Sequence, residues 1–129
     1  LGAAIFSTAK LEERLRRNKA LVVVHELKAL AHVVDMHQLT KRPVGADHDV
    51  PDTPSSPKRV LSPAELSRYL DYCAEIFSVI GKVAALYGQR LNDPVVLEAV
   101  DDIEDLTTSL ARKVWQKIAL LERPRDTAQ

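Results

Sequence analysis

The sequence predicts an all-α protein, an elongated antiparallel three-helix bundle with long coiled-coil-like helices and one long disordered loop. Three stretches of about 30 residues have no internal proline, and proline-containing breaks separate them. Within these stretches apolar residues recur at alternating steps of three and four, which is typical of helices packed side by side. Because no run alternates apolar and polar residues between turn signals, the sequence predicts no strand.

The first helix is predicted over about residues 8–40. Residues 7–40 contain neither proline nor glycine, and Ser7 or Thr8 can cap the first turn. Residues 41–61 are rich in proline and serine and predict a poorly ordered loop. We therefore predict a single helical-bundle domain over 7–122, with a C-terminal tail over 123–129. The small and apolar residues 1–6 precede a basic segment, which fits either a truncated membrane stub or a fragment boundary.

The second and third helices are predicted over 63–91 and 94–122. Ser62, Pro63 and Glu65 have the form of a capping box with proline in the first turn, and Asp93-Pro94 repeats that logic. The short break between the helices makes them an antiparallel hairpin. Its core is predicted from two stripes: Leu66, Leu70, Cys73, Phe77, Ile80, Ala84, Tyr87 and Leu91, and Val96, Val100, Ile103, Leu106, Leu110, Val114, Ile118 and Leu121.

The first helix carries two apolar faces. The face predicted to pack on the hairpin consists of Ala20, Val23, Val24, Leu27, Leu30, Ala31 and Val34. A second patch lies nearly opposite and must meet a partner or stay exposed. Because a twofold axis lets one patch cover itself, we predict a homodimer. The predicted interface consists of Val22, His25, Ala29, His32, Val33 and Met36.

A stripe of small residues on the second helix predicts the close approach of another helix. It consists of Ala74, Gly81, Ala85 and Gly88. Glycine inside a helix is less favourable than alanine by about 1 kcal/mol, so its presence there usually has a packing reason. The neighbour is expected to be either the first helix or a second subunit.

Three histidines on the first helix form a weak metal-ligand pattern. His25 and His32 lie about 10.5 Å apart along the axis, too far to chelate one ion without other ligands. We therefore expect His25, His32 and His37 on an interface or a solvated flank. Since histidine becomes charged as the pH falls through about 6.5, the dimer is expected to weaken in acid.

Carboxylates crowd the first half of the third helix, at Glu98, Asp101, Asp102, Glu104 and Asp105. That placement suits the helix dipole and predicts a solvated face. The same residues, combined with the histidines of the first helix, support an alternative function. In that alternative the protein is a metal-dependent helical-bundle hydrolase acting on a phosphorylated small molecule.

Composition argues against nucleic-acid binding driven by net charge and against catalysis by a cysteine nucleophile. Eighteen Lys and Arg balance eighteen Asp and Glu, so no net charge attracts nucleic acid. Cys73 falls within the predicted seam and reads as a buried hydrophobe rather than a nucleophile. We assign no catalytic residue, cofactor, metal ligand or small-molecule substrate from the sequence.

The leading hypothesis is a non-enzymatic helical interaction or oligomerisation module. In one form of it the chain is the cytoplasmic part of a larger membrane protein, attached upstream of Leu1. The expected location is then the cytoplasm or the inner face of a membrane. A third interpretation is a bundle that encloses an apolar ligand.

Overall fold

The computed structural model describes residues 1–43, 51, 53–56 and 60–123. Three helices carry the fold, α1 (Gly2–Leu39), α2 (Pro63–Leu91) and α3 (Pro94–Glu122), with two short strands, β1 (Arg42–Pro43) and β2 (Val60–Leu61). The predicted three-helix bundle is confirmed. The bounds of α2 and α3 agree with the prediction because their caps are encoded locally.

The N-terminal cap predicted for α1 is wrong. The helix begins at Gly2 and has no side-chain cap, so Ser7 and Thr8 both lie inside it. The Thr8 hydroxyl donates to the carbonyl oxygen of Ala4 at 2.9 Å, which satisfies it within the helix. A residue that can cap a helix is also tolerated inside one when it bonds back to the preceding turn.

The caps of the hairpin are as predicted. Ser62 and Glu65 form a reciprocal capping box, in which each backbone N–H donates to the other residue's side chain. Asp93 caps α3 by accepting hydrogen bonds from the backbone N–H groups of Val95 and Val96. Between the helices Asn92 adopts a left-handed conformation, with φ 45° and ψ 36°, which asparagine tolerates better than most residues.

The two strands were not predicted. They pair in parallel, Arg42 with Val60 and Pro43 with Leu61, and so bring together the two ends of the predicted loop. Strands of two residues are too short to produce an alternating pattern in the sequence. Of the predicted disordered loop 41–61, residues 44–50, 52 and 57–59 lie outside the described residues, as do residues 124–129 of the predicted tail.

The hairpin core contains the two predicted stripes. Twelve of the sixteen predicted residues are buried, and Leu106 and Leu121 are half-buried at the edge of the core. Tyr87 and Leu91, at the C-terminal end of α2, are also only half-buried. Phe77 is the largest side chain that is completely buried.

The helix that comes close to the glycines of the small-residue stripe is α3. The sequence analysis expected α1 or a second subunit, and that expectation is wrong. A Cβ atom built on Gly81 would lie 2.9 Å from Thr107 Oγ1, and one built on Gly88 would lie 3.2 Å from Leu97 Cδ2. Both contacts are with α3. The glycines are therefore explained by the closeness of the hairpin's own two helices.

The α1 helix lies antiparallel to α2 and parallel to α3. Near its middle Arg17 contacts Asp93 at the hairpin turn, and at its C-terminal end the carbonyl oxygen of Gln38 contacts Lys117 near the end of α3. Ala20, Val24 and Ala31 are buried against the hairpin. Leu30 was predicted on this face but is 47% exposed, because it lies at the edge of the contact stripe.

The first 16 residues of the chain are exposed throughout. We call residues 2–16 of α1 the N-terminal arm. At 1.5 Å per residue the arm is about 22 Å long, and none of its side chains enters the core. Within the described residues, no helix is both long enough and apolar enough to cross a membrane.

Candidate functional site

The predicted interface residues form one continuous exposed face of α1. Val22, Val33 and Met36 expose between 45% and 58% of their surface, and His25, Ala29 and His32 are exposed as well. The buried residues of α1 lie on the opposite side of the helix. The structure thus brings the six predicted residues together, and the described part of the chain leaves them exposed.

The same face is longer than the sequence analysis predicted. Beyond Val22 and Met36, exposed residues continue along the helix at steps of four and three in both directions. We call the complete set the outer stripe: Leu11, Leu15, Asn18, Val22, His25, Ala29, His32, Met36 and Leu39. Eight successive steps keep the heptad register, and six of the nine residues are apolar, as in a coiled-coil seam that a few polar residues interrupt. The polar Asn18 conceals the continuation of the patch to Leu15 and Leu11 in the sequence.

Charged side chains flank the outer stripe. Arg14, Lys19 and Glu26 are exposed and form no ion pair with any residue described. Asp35 is half-buried and accepts a hydrogen bond from the side-chain amide of Gln38 at 2.9 Å. Two ion pairs in this part of α1, from Glu12 to Arg16 and from Glu13 to Arg17, each join residues one turn apart on the same helix.

An ion pair attaches the other side of α1 to the hairpin turn. Arg17 donates to Asp93 Oδ2 from Nε at 2.8 Å, and its terminal nitrogen lies 2.7 Å from the same oxygen. The hydrogen bond from Arg17 lowers the pKa of Asp93, with help from the backbone N–H groups of Val95 and Val96. The sequence predicted the cap but not this partner, which is 76 residues away.

Lys117 of α3 binds backbone carbonyl groups at the C-terminal end of α1. Its ammonium group donates to the carbonyl oxygen of Gln38 at 2.9 Å and to that of Lys41 at 3.2 Å. The Gln38 oxygen lies in the last turn of α1 and the Lys41 oxygen just beyond it, where carbonyl groups lack intrahelical partners. Partial burial lowers the pKa of Lys117. No pattern in the sequence indicated this contact.

A surface groove of about 930 Å³ runs between α2 and α3. Its floor includes Gly81, Thr107 and Ala111, and Trp115 stands at its edge with 57% of its surface exposed. Both acidic and basic side chains line the rim. The groove is open to the surface, so it does not provide the enclosed cavity that the apolar-ligand interpretation requires.

The described residues assemble neither a metal site nor a reactive thiol. The five carboxylates of α3 and the three histidines of α1 are all exposed, and the described residues include no group of three or more potential ligands placed to hold a metal ion. Cys73 is buried, and the loss of solvation raises the pKa of its thiol. A protonated and buried thiol is a poor nucleophile.

Comparison of the chain with known protein families, with curated proteins and with solved structures gave no match.

Proposed function

We propose that this protein is a non-enzymatic helical interaction module that associates with a second copy of itself through the outer stripe of α1. The observation that carries the proposal is the uninterrupted heptad spacing of nine exposed residues on the side opposite the core. A helix that packs only on the hairpin needs one apolar face, and α1 has a second one on the opposite side. The second face supports a second helical partner.

The hairpin supplies the rigid support for this surface. Ala20, Val24 and Ala31 fix α1 against α2 and α3, while Arg17 and the carbonyl oxygen of Gln38 are held at either end of that contact. The part of the outer stripe from Asn18 to Leu39 is therefore presented on a helix whose orientation is already set. Such preorganisation reduces the entropy lost on binding.

The test places a charge in the centre of the outer stripe. Ala29→Glu inserts a carboxylate into the proposed contact, where it would lose solvation without gaining a partner. Ala119→Glu is the matched control, because Ala119 is an exposed alanine within α3. Sedimentation velocity at tens of micromolar should show a dimer for the parent and the control and a monomer for Ala29→Glu. A monomeric parent, or a dimer that Ala29→Glu leaves intact, overturns the proposal.

The histidines of the outer stripe add a second measurement. His25 and His32 are both exposed; the charged residues nearest to His25 on α1 are Glu26 and Lys28, and those nearest to His32 are Lys28 and Asp35. Protonation would place positive charge inside the contact of both copies. The dimer is therefore expected to dissociate more readily at pH 5.5 than at neutral pH, and His25→Gln/His32→Gln should abolish that difference.

A further inference from the structure

Charges on the two flanks of the outer stripe define how a second copy can pack. In the heptad set by the stripe, one flank carries Glu12, Lys19 and Glu26, and the other carries Arg14, Lys28 and Asp35. Residues at these positions border the core of a coiled coil and select the orientation and register of the partner helix. Their signs can therefore be compared between one arrangement and another.

We infer that two copies pack antiparallel through α1, with the twofold axis between Val22 and His25. The inference rests on the proposed function and specifies the geometry of that same contact. Val22 of each copy then packs against His25 of the partner subunit, and the layers on either side pair other residues of the outer stripe. The packed region extends over residues 8–39 of both chains, a length of about 48 Å.

This arrangement pairs opposite charges on both flanks. In an antiparallel pair, residues of one flank face the same flank of the partner helix. Lys19 faces Glu26 of the partner subunit, and Arg14 faces Asp35 of the partner subunit. The twofold axis repeats each contact, so four ion pairs form and no like charges meet.

Neighbouring arrangements bring like charges together. Moving the axis one half-heptad toward the N terminus places Lys19 against Lys19 of the partner subunit, and moving it equally toward the C terminus places Glu26 against Glu26 of the partner subunit. A parallel pair places Arg14 against Lys19 of the partner subunit. Like-charge contacts at these positions are unfavourable. The charges thus favour the antiparallel pair centred between Val22 and His25.

The arrangement also covers part of the N-terminal arm. Leu11 packs against Met36 of the partner subunit, and Leu15 packs against His32 of the partner subunit. Leu11 and Leu15 expose 58% and 53% of their surface in the single chain, and nothing in the described part of their own chain covers them. The partner's α1 supplies the missing apolar contact.

Charge reversal tests the orientation, because the same substitution weakens one arrangement of the dimer and strengthens the other. Lys19→Glu replaces two attractive contacts by repulsive ones in the antiparallel dimer, and its dissociation constant should rise about tenfold. In a parallel dimer the same change faces Arg14 of the partner subunit and should tighten association. Lys19→Glu/Glu26→Lys should restore the parent affinity to within about threefold. Lys113→Glu on α3 makes the same change of net charge and should have no comparable effect.

Cysteine crosslinking tests the register directly. An equimolar mixture of the Leu11→Cys and Met36→Cys proteins should form a disulfide-linked dimer under mild oxidation, because the two positions share one layer. Met36→Cys alone should not, since its two copies lie about 38 Å apart. The parent controls for Cys73, which is buried. Crosslinking of Met36→Cys alone, or tighter association of Lys19→Glu, overturns the antiparallel arrangement while leaving the proposed self-association intact. A monomeric parent overturns both.

Discussion

Replacement of Gly81 by alanine tests the closeness of α2 and α3. The added Cβ atom would lie 2.9 Å from Thr107 Oγ1, inside the distance that such atoms tolerate. The Thr107 hydroxyl is held by a hydrogen bond to the carbonyl oxygen of Ile103 at 2.9 Å, and a β-branched side chain has restricted rotation in a helix. Either the Thr107 side chain or one of the two helices must therefore shift.

Two opposing contributions determine how Gly81→Ala changes the free energy of unfolding. Alanine is favoured over glycine inside a helix by about 1 kcal/mol, whereas overpacking a core contact costs about 1–3 kcal/mol. We expect Gly81→Ala to lower the free energy of unfolding by about 1 kcal/mol. In a Thr107→Ala background the clash is absent, and the same change should raise it by about 1 kcal/mol. The coupling between the two sites is then about 2 kcal/mol.

Urea unfolding of the parent, both single variants and the double variant measures this coupling. All four proteins are compared at one concentration, because any association contributes to stability. Gly88→Ala is the control, since its added Cβ atom would lie 3.2 Å from Leu97 Cδ2, the end of a flexible side chain, and in ordinary contact with the Val100 methyl groups at 3.6 Å. It should be neutral or stabilising. The reasoning is refuted if Gly81→Ala stabilises the parent as much as it stabilises Thr107→Ala.

Three further predictions concern the core, the ion pair and the thiol. Ile80→Ala should lower the free energy of unfolding by about 2–5 kcal/mol in urea, and exposed Glu98→Ala by less than about 0.5 kcal/mol; similar values would contradict the assigned core. The lowered pKa of Asp93 means that its stabilisation is complete above the ordinary carboxyl pKa and is lost as the pH falls through the lowered value. The melting temperature of the parent should therefore fall more steeply in acid than that of Asp93→Asn, which keeps the cap; equal slopes would count against the ion pair. Cys73 should react with a thiol reagent at neutral pH only as fast as the protein opens, and rapid labelling of the folded protein would show that it is accessible.

The hairpin was predictable because its signals are local. Ser62 and Glu65 are three residues apart, and Asp93 is next to the proline that follows it, so each cap can be read within one helical turn. The periodic stripes of α2 and α3 depend on spacing alone. By contrast, the start of α1 at Gly2 has no cap to mark it, and two paired strands of two residues leave no pattern.

Contacts between distant parts of the chain could not be predicted in the same way. Arg17 and Asp93 are 76 residues apart, and Lys117 and Gln38 are 79 apart. Gly81 showed that some helix comes close, but not that the helix was α3. For the candidate site, periodicity indicated a second apolar patch around Val22 and Met36, and both residues are exposed. Its continuation to Leu11 was missed because polar residues interrupt the apolar pattern.

Because the side chains of the N-terminal arm are exposed, its backbone hydrogen bonds should open more often than those in the rest of α1. A helical segment of about 15 residues whose side chains are all exposed is only marginally stable in water, and Leu1 provides no side-chain cap to stop fraying. Amide hydrogen exchange should therefore slow progressively from Gly2 towards Ala20, where the side chains become buried. A partner that covers Leu11 and Leu15 would bind a segment whose helical order it also completes. Its affinity would thus include the entropy of ordering the arm, and slower exchange in this segment would accompany binding.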